Sequence, residues 1–436
     1  MNILILGSGG REHALASAYS KSRKIKQIII APGNALVEYK AEKIKVEPLV
    51  AATDFDGVVR LVKKYKIDLV DVAGDDPLAE GFVDKLQTLG IKTFGPTKAA
   101  AEIEWNKKWS RHFMEKYKLP VPAYRSFSDT KKAITYVNSL KEQVLYVKAS
   151  GLALGKGAIR AENKKEAIKA INSMKSFGNA GETFLIEECM VGEEFSLFAI
   201  CDGENYQIVG TAQDHKTVYN HDLGPNTGGM GCVSNPKVVT PQILKKVKQT
   251  ILEPFMKGMK KEGRAYVGVL YLGAMLTKTG IKIVEFNSRW GDPEAEVLIP
   301  AIKTDYLTIA EAALNKKLNR IKIQCDKTSR LSVAGCSLGY PIDYAKVKGK
   351  IVTGLEKAMK LPGIKIFGAG IAKKGKSFVV HGGRVFHVVG EGKTLVQAKD
   401  KAYKAMAIVN IQGNNLHYRT DIGWRDLERE IYDSSS

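Results

Sequence analysis

The order of the first hundred residues is the strongest constraint in this sequence. Residues 2–6 form a short apolar run that ends in Gly7-Ser8-Gly9-Gly10, and residues 11–21 carry a helical pattern. A second apolar run, 26–31, closes on Pro32-Gly33-Asn34. Residues 56–65 read as a helix, 67–73 as a strand and 79–89 as a helix before Lys92-Thr93-Phe94. Strands alternating with helices imply a parallel sheet with helical crossovers. The first region is therefore expected to be one α/β domain.

The pattern changes twice further on. A helix-rich stretch, 98–118, stops at Pro120 and Pro122, and a mixed α and β region follows. Within it, 144–148, 158–160 and 183–187 read as strands and 164–174 as a helix. After Cys325, residues 331–337, 367–373, 377–381 and 384–389 are strand-like and punctuated by glycines, and a helix over 395–408 closes a small α+β region. The fold class expected is multidomain α/β and α+β.

Composition removes several classes. Hydrophobic residues make up 44% and charged residues 26%, which excludes a disordered tail, a collagen-like repeat and a disulfide scaffold. No uninterrupted apolar stretch is long enough for a spanning helix. The N-terminus has no basic leader or cleavage site. The five cysteines form no C-x-x-C, which fits reduced thiols in a cytoplasmic protein and speaks against a zinc site. The 67 Lys+Arg against 46 Asp+Glu leave a charge of +21. These cations are spread along the chain, so a solvated lysine-rich surface is favoured over a nucleic-acid patch.

Glycine loops come next. Gly7-Ser8-Gly9-Gly10-Arg11-Glu12 joins a strand to a helix and places backbone N–H groups where an anion can sit. A dinucleotide fingerprint fails, because Glu12 occupies the third glycine position and the second strand ends in Ala31-Pro32 rather than an acid. A phosphate-bearing substrate and a purely structural turn both remain open. Gly151-Leu152-Ala153-Leu154-Gly155-Lys156-Gly157 is not a Walker A loop, since Gly157 follows Lys156. It reads as a flap over phosphates, with Lys148 just before it as a second cation, or as a surface hairpin.

Acids supply a third signal. In Glu285-Phe286-Asn287-Ser288-Arg289 the period of two puts Glu285, Asn287 and Arg289 on one face. A carboxylate beside an amide oxygen suits Mg²⁺, and Arg289 beside them can hold a phosphoryl group; a solvated polar face is the plain alternative. Glu187, Glu188 and Met190 lead from a strand into a segment whose backbone can meet a purine edge, with Glu194 able to accept from ribose hydroxyls; a charged surface turn is the equal alternative. Gln213-Asp214-His215-Lys216 and the glycine-dense 224–231 loop either close around a ligand or form a flexible linker.

Taken in order, these segments resemble the ATP-grasp ligases and, within them, the phosphoribosylamine–glycine ligase (glycinamide ribonucleotide synthetase) family. The resemblance runs over nearly the whole chain. It implies an N-terminal substrate domain at 1–103, an ATP-grasp core at 104–325 with a lid at about 121–190, and a C-terminal domain at 326–436. It also implies ATP-dependent joining of glycine to 5-phosphoribosylamine through a glycyl phosphate, with Mg²⁺ or Mn²⁺.

By this resemblance Lys107, Lys148, Gly155, Lys156 and Gly157 contact ATP phosphates. Glu187, Glu188, Met190 and Glu194 line the nucleoside, and Glu285 and Asn287 hold the metal. Arg289, Lys148 and Asp214 carry the chemistry. Asp214 with Asn226, Thr227, Gly228, Gly229 and Met230 lines the glycine pocket, and Gly9, Gly10, Arg11, Gly33 and Asn34 face the phosphoribosyl group. The implied partners are small molecules, with no nucleic acid or membrane, and the implied state is a monomer or homodimer. The chain departs from the family pattern at Asp75, Asn106, Ser150 and Leu154. The alternative reading is a related ATP-grasp ligase joining another acid to another amine.

Overall fold

In the computed structural model, which describes residues 1–151 and 157–435, the N-terminal region is a five-stranded parallel sheet. Its strands lie in the order Ile44–Val46, Gln27–Pro32, Asn2–Gly7, Leu69–Val72, Thr93–Phe94. Ile3, Leu4, Ile5 and Leu6 are all fully buried, as expected of a strand covered on both faces. Strand order reverses between Asn2–Gly7 and Leu69–Val72, so a crevice opens at their carboxyl ends. Gly7–Arg11 and Ala73–Asp76 emerge there side by side, Leu6 pairing with Val72.

A nine-stranded sheet forms the centre. Its path runs Gly280–Asn287, Val267–Thr277, Gly192–Asp202, Tyr206–Asp214, Gly231–Ser234, Ser329–Ser337, Arg384–Gly392, Ile364–Gly368, with Leu416–His417 paired to Ser329–Ser337. The sheet does not stop where the composition changes near Cys325: Cys232 pairs with Ser332, and Val218, Met230 and Val233 share an apolar cluster with Leu331, Val385 and Ile422. Over the cleft described below stands a separate four-stranded antiparallel sheet ordered Tyr124–Phe127, Phe184–Glu188, Leu145–Ala149, Ala158–Ala161. Helices Thr130–Ser139 and Lys164–Ser173 pack Ala133, Val137, Ala167 and Ile171 onto its apolar face.

Three expected elements are corrected. The helix over 79–89 is two helices, Asp75–Ala79 and Phe82–Thr88, because Gly81 adopts φ +76° between them. The helical stretch 98–118 breaks at Asn106, whose side chain caps the second helix by accepting from the Trp109 N–H. The strand over 367–373 is two strands, Ile364–Gly368 and Ile371–Lys374, that enter different sheets. Between them Gly370 lies so close to Gly382 that a Cβ would come within 2.5 Å of the Gly382 Cα. The five cysteines are unpaired. No helix among the described residues is long and apolar enough to cross a membrane.

Candidate functional site

The strand Gly280–Asn287 carries Glu285 and Asn287 two residues apart, so both project from one face. Opposite Glu285 the neighbouring strand has Gly273, and the missing side chain leaves room beside the carboxylate. The Asn287 side-chain amide donates to Glu285 Oε1 at 3.4 Å. These residues form one wall of a cleft of about 460 Å³ between the central and four-stranded sheets, within the range of small-molecule sites.

The cleft gathers residues from distant parts of the chain. Lys107, Lys148, Gly157, Glu187, Glu188, Met190 and Glu194 line it, as do Asp214, Asn226, Thr227, Glu285, Asn287 and Arg289. Gly155 and Lys156, with the departure Leu154, lie outside the described residues. Two other departures touch each other: Ser150 Oγ donates to Asn106 Oδ1 at 3.3 Å and accepts from the Lys108 N–H at 3.0 Å. The exchange at 106 and the exchange at 150 therefore form one polar contact at the start of the helix that carries Lys107.

Charge in the cleft is ordered by burial. Burial alone would raise the Glu285 carboxyl, but Lys216, Lys107 and Lys148 outweigh it and hold it below the usual range. Burial raises Asp214 well above its usual value, and Glu294 pushes the same way. Asp214 Oδ1 is buried with no hydrogen-bond partner among the described residues. Burial also lowers Lys107. A carboxylate and an amide oxygen form a hard donor pair open to a cleft that three lysines face, which fits a divalent cation shared with phosphate oxygens.

Glu187 has a different role from its neighbours. It is 2% exposed, accepts from Arg111 Nε at 2.7 Å and Nη2 at 3.0 Å, and pairs with Lys148 Nζ at 2.7 Å. Its oxygens are occupied, so it positions Lys148 rather than meeting a base. Burial would raise its carboxyl, yet Lys148 and then Arg111 bring it down to about 2. The free carboxyl titrates near 4.3. Its contribution is thus complete above that pH and lost as pH falls through about 2. Glu187→Gln is expected to cost about 3–5 kcal/mol at pH 7, because two buried cations lose their counter-charge. Urea denaturation at pH 7 and pH 3 checks this, and the gap between variant and wild type should narrow at the lower pH.

The remaining predicted residues lie beside the cleft rather than in it. The Gly9 N–H donates to Glu12 Oε2 at 2.6 Å and the Arg11 N–H to Asp292 Oδ2 at 3.4 Å. Carboxylates of the chain itself therefore engage two of the turn's backbone donors. The Arg11 guanidinium contacts Glu12 Oε1 at 2.5 Å and donates to the Trp290 carbonyl, with Asp75 and Arg289 close enough to act on its charge. Met230 corrects an expectation: its side chain is fully buried and packs on Cys336, because it belongs to the apolar core. The carbonyls of Gly228 and Gly229 accept from Arg384, and the Gly228 N–H donates to the Tyr340 hydroxyl.

Asn34 is likewise structural. Its amide donates to the Ser8 and Gly368 carbonyls, both at 2.9 Å, and its oxygen accepts from the Leu36 and Val37 N–H groups. The Gly33 N–H donates to the Gly7 carbonyl. Asn34→Ala is expected to cost about 2–4 kcal/mol, since it strands two donors and two acceptors at the join to the C-terminal region. Chemical denaturation measures the loss.

Sequence reading gave no individual role to Lys216 and Arg425, which also line the cleft. Lys216 Nζ pairs with Glu194 Oε2 at 2.7 Å and faces Glu285 and Asp214. A signal was available: Asp214 and Lys216 sit two apart at a strand end. Arg425 pairs with Asp222, a contact from the last helix that spacing cannot show.

The chain is similar to known proteins over nearly its whole length. The family profiles for the phosphoribosylglycinamide synthetase N domain, ATP-grasp (A) domain and C domain match residues 1–104, 105–295 and 330–425. A phosphoribosylamine–glycine ligase of Mesorhizobium japonicum is 40% identical over 432 residues, covering 99% of each chain. The trifunctional purine biosynthetic protein adenosine-3 of Gallus gallus is 42% identical over 429 residues, which are 98% of this chain but 42% of that protein. The crystal structure of phosphoribosylamine–glycine ligase from Thermotoga maritima superposes with a TM-score of 0.82 at 29% identity, covering 97% of this chain and all of that one. With all three domain profiles matched in order, the chain belongs to the phosphoribosylglycinamide synthetase family.

Proposed function

We propose that this protein is an ATP-dependent carboxylate–amine ligase that joins glycine to 5-phosphoribosylamine, releasing ADP and phosphate, in the cytoplasm as a monomer or homodimer. The observation that carries the reading is one cleft uniting Lys107, Lys148, Glu285, Asn287 and Arg289 in a chain that matches a relative of that name end to end.

The residues divide the work as follows. Lys148, held by Glu187, and Lys107 meet the ATP phosphates and offset the charge that shifts as the γ-phosphoryl moves to the glycine carboxylate. Glu285 and Asn287 would hold Mg²⁺, or Mn²⁺ in its place, which supplies charge neutralisation on the phosphate oxygens. Glu188 and the Met190 backbone meet adenine, and Glu194, oriented by Lys216, accepts from the ribose. Arg289 steadies the acyl phosphate. The unpartnered Asp214 oxygen takes the glycine ammonium, whose charge would bring that carboxyl back into its ionised range. Arg11 and the backbone of the Gly9–Arg11 turn and of Gly33 face the sugar phosphate across the crevice. The sheet over about 121–190 acts as a lid that keeps water from the acyl phosphate.

The test is ADP release with ATP, Mg²⁺, glycine and freshly made phosphoribosylamine. Release that needs both glycine and the amine is expected. Turnover supported only by a different amino acid would select a related ligase instead, a reading favoured by Asp75, which replaces the family's usual turn and faces Arg11 and Arg289.

A further inference from the structure

A second group of chemistry-bearing side chains sits where three regions of the chain meet. Asp292 lies in the turn after Arg289, Glu296 on the helix Glu294–Leu298, and His387 on the strand Arg384–Gly392. One ligand atom from each lies within 4.8 Å of the others. His387 Nε2 is 3.3 Å from Asp292 Oδ1 and 3.7 Å from Glu296 Oε1. None of the three lines the ATP cleft.

Two observations point to a cation ligand. Glu296 and His387 are completely buried, yet neither carboxylate oxygen of Glu296 nor the Nδ1 of His387 has a hydrogen-bond partner among the described residues, and His387 Nε2 has only the 3.3 Å contact to Asp292. Buried polar atoms left in that state are costly unless something else satisfies them. Acidic side chains also crowd this point. Asp292, Glu294 and Glu296 are three acids packed together, and the guanidinium that reaches them is Arg384, 3.0 Å from Asp292 Oδ1. Arg11 nearby is matched by Glu12 at 2.5 Å.

We propose that Asp292, Glu296 and His387 bind a divalent transition-metal ion, Mn²⁺ or Zn²⁺, that pins the N-terminal glycine turn, the Glu294–Leu298 helix and the C-terminal strand together. An imidazole nitrogen with two carboxylates suits these ions better than Mg²⁺, which prefers oxygen alone. Ligand bonds of about 2.0–2.2 Å place bound atoms roughly 3–4 Å apart, and the two measured separations from His387 already fall in that interval. The glycine turn closes over the site. A Cβ on Gly10 would lie 2.1 Å from Glu296 Oε1 and 2.9 Å from His387 Cδ2, and one on Gly9 would lie 2.9 Å from Asp292 Oδ2. The absence of C-x-x-C pairs bears only on thiolate sites, so it does not weigh against this one. The site is separate from Glu285 and Asn287 and does not rest on the ligase reading.

The test uses the full chain purified without chelator and washed in excess Mg²⁺, so that any ion kept is not at the ATP site. Elemental analysis is expected to find about one Mn or Zn per chain, and Glu285→Ala is expected to keep it. Glu296→Gln, and separately His387→Ala, should lose at least tenfold of that content. After removal by chelator, adding Mn²⁺ or Zn²⁺ over Mg²⁺ should raise the wild-type Tm by about 5 °C. A wild-type protein that carries no stoichiometric metal and shows no Tm response to either ion overturns the proposal. So does a Glu296→Gln variant that retains the full content.

Discussion

Glu285→Ala is expected to lower glycine-dependent ADP release by about a thousandfold or more, while shifting the thermal transition by only a few degrees. The two halves of this expectation have separate causes. Among the described residues no cation lies within ion-pair distance of Glu285, so removing it breaks no ion pair and costs only the long 3.4 Å hydrogen bond from Asn287. Lys148 keeps Glu187 and Lys216 keeps Glu194, so neither cation is left bare. What disappears is the one charged oxygen donor beside Asn287, on the wall that the lysines face. Steady-state ADP release and a thermal melt of the same sample measure both halves. Glu285→Gln, which keeps the volume but loses the charge, should be nearly as inactive. Turnover within tenfold of wild type in either variant would remove the metal from this position.

How much of this was legible in the sequence depends on the distance over which each feature is decided. The alternation of Glu285 and Asn287 follows from strand geometry, and although the strand ends at Asn287 and Arg289 lies in the bend beyond it, all three line the cleft. The strand–turn–helix start was readable because four apolar residues and the glycines are contiguous. Met230 and Asn34 were not readable. Each lies in a polar, glycine-bearing loop, yet its role is set by partners more than a hundred residues away, Cys336 for one and Gly368 for the other. The continuity of the central sheet past residue 325 is a pairing of Gly231–Ser234 with Ser329–Ser337, and strand pairing across such a separation leaves no local pattern. Glu187 shows the intermediate case. Its place beside the cleft was visible, but its consumption by Arg111 was not, because Arg111 reads as one more charge on a helix.

Arg289→Lys is the sharper test of how the chemistry is held, and it is expected to cut turnover by about 100- to 1000-fold with little change in stability. Arg289 Nη2 pairs with Glu104 Oε1 at 2.9 Å and Nη1 donates to the Trp290 carbonyl at 3.1 Å. Its Nε is buried with no hydrogen-bond partner among the described residues. Glu104 in turn accepts from the Ser288 N–H and hydroxyl, both at 2.7 Å. The guanidinium is therefore fixed from behind by a carboxylate that is itself fixed, and the donors of its fork that these contacts leave over are available to a transferring group in the cleft it lines. Lysine keeps the charge and can satisfy Glu104, but it cannot do so and present a second planar donor at once. Arg289→Ala should add a stability loss of about 3–5 kcal/mol, because Glu104 is left buried without its cation. Adding Glu104→Gln to Arg289→Ala should recover much of that stability and none of the turnover. A lysine variant with near-normal turnover would show that positive charge alone suffices here, and that the fork held by Glu104 contributes only to folding.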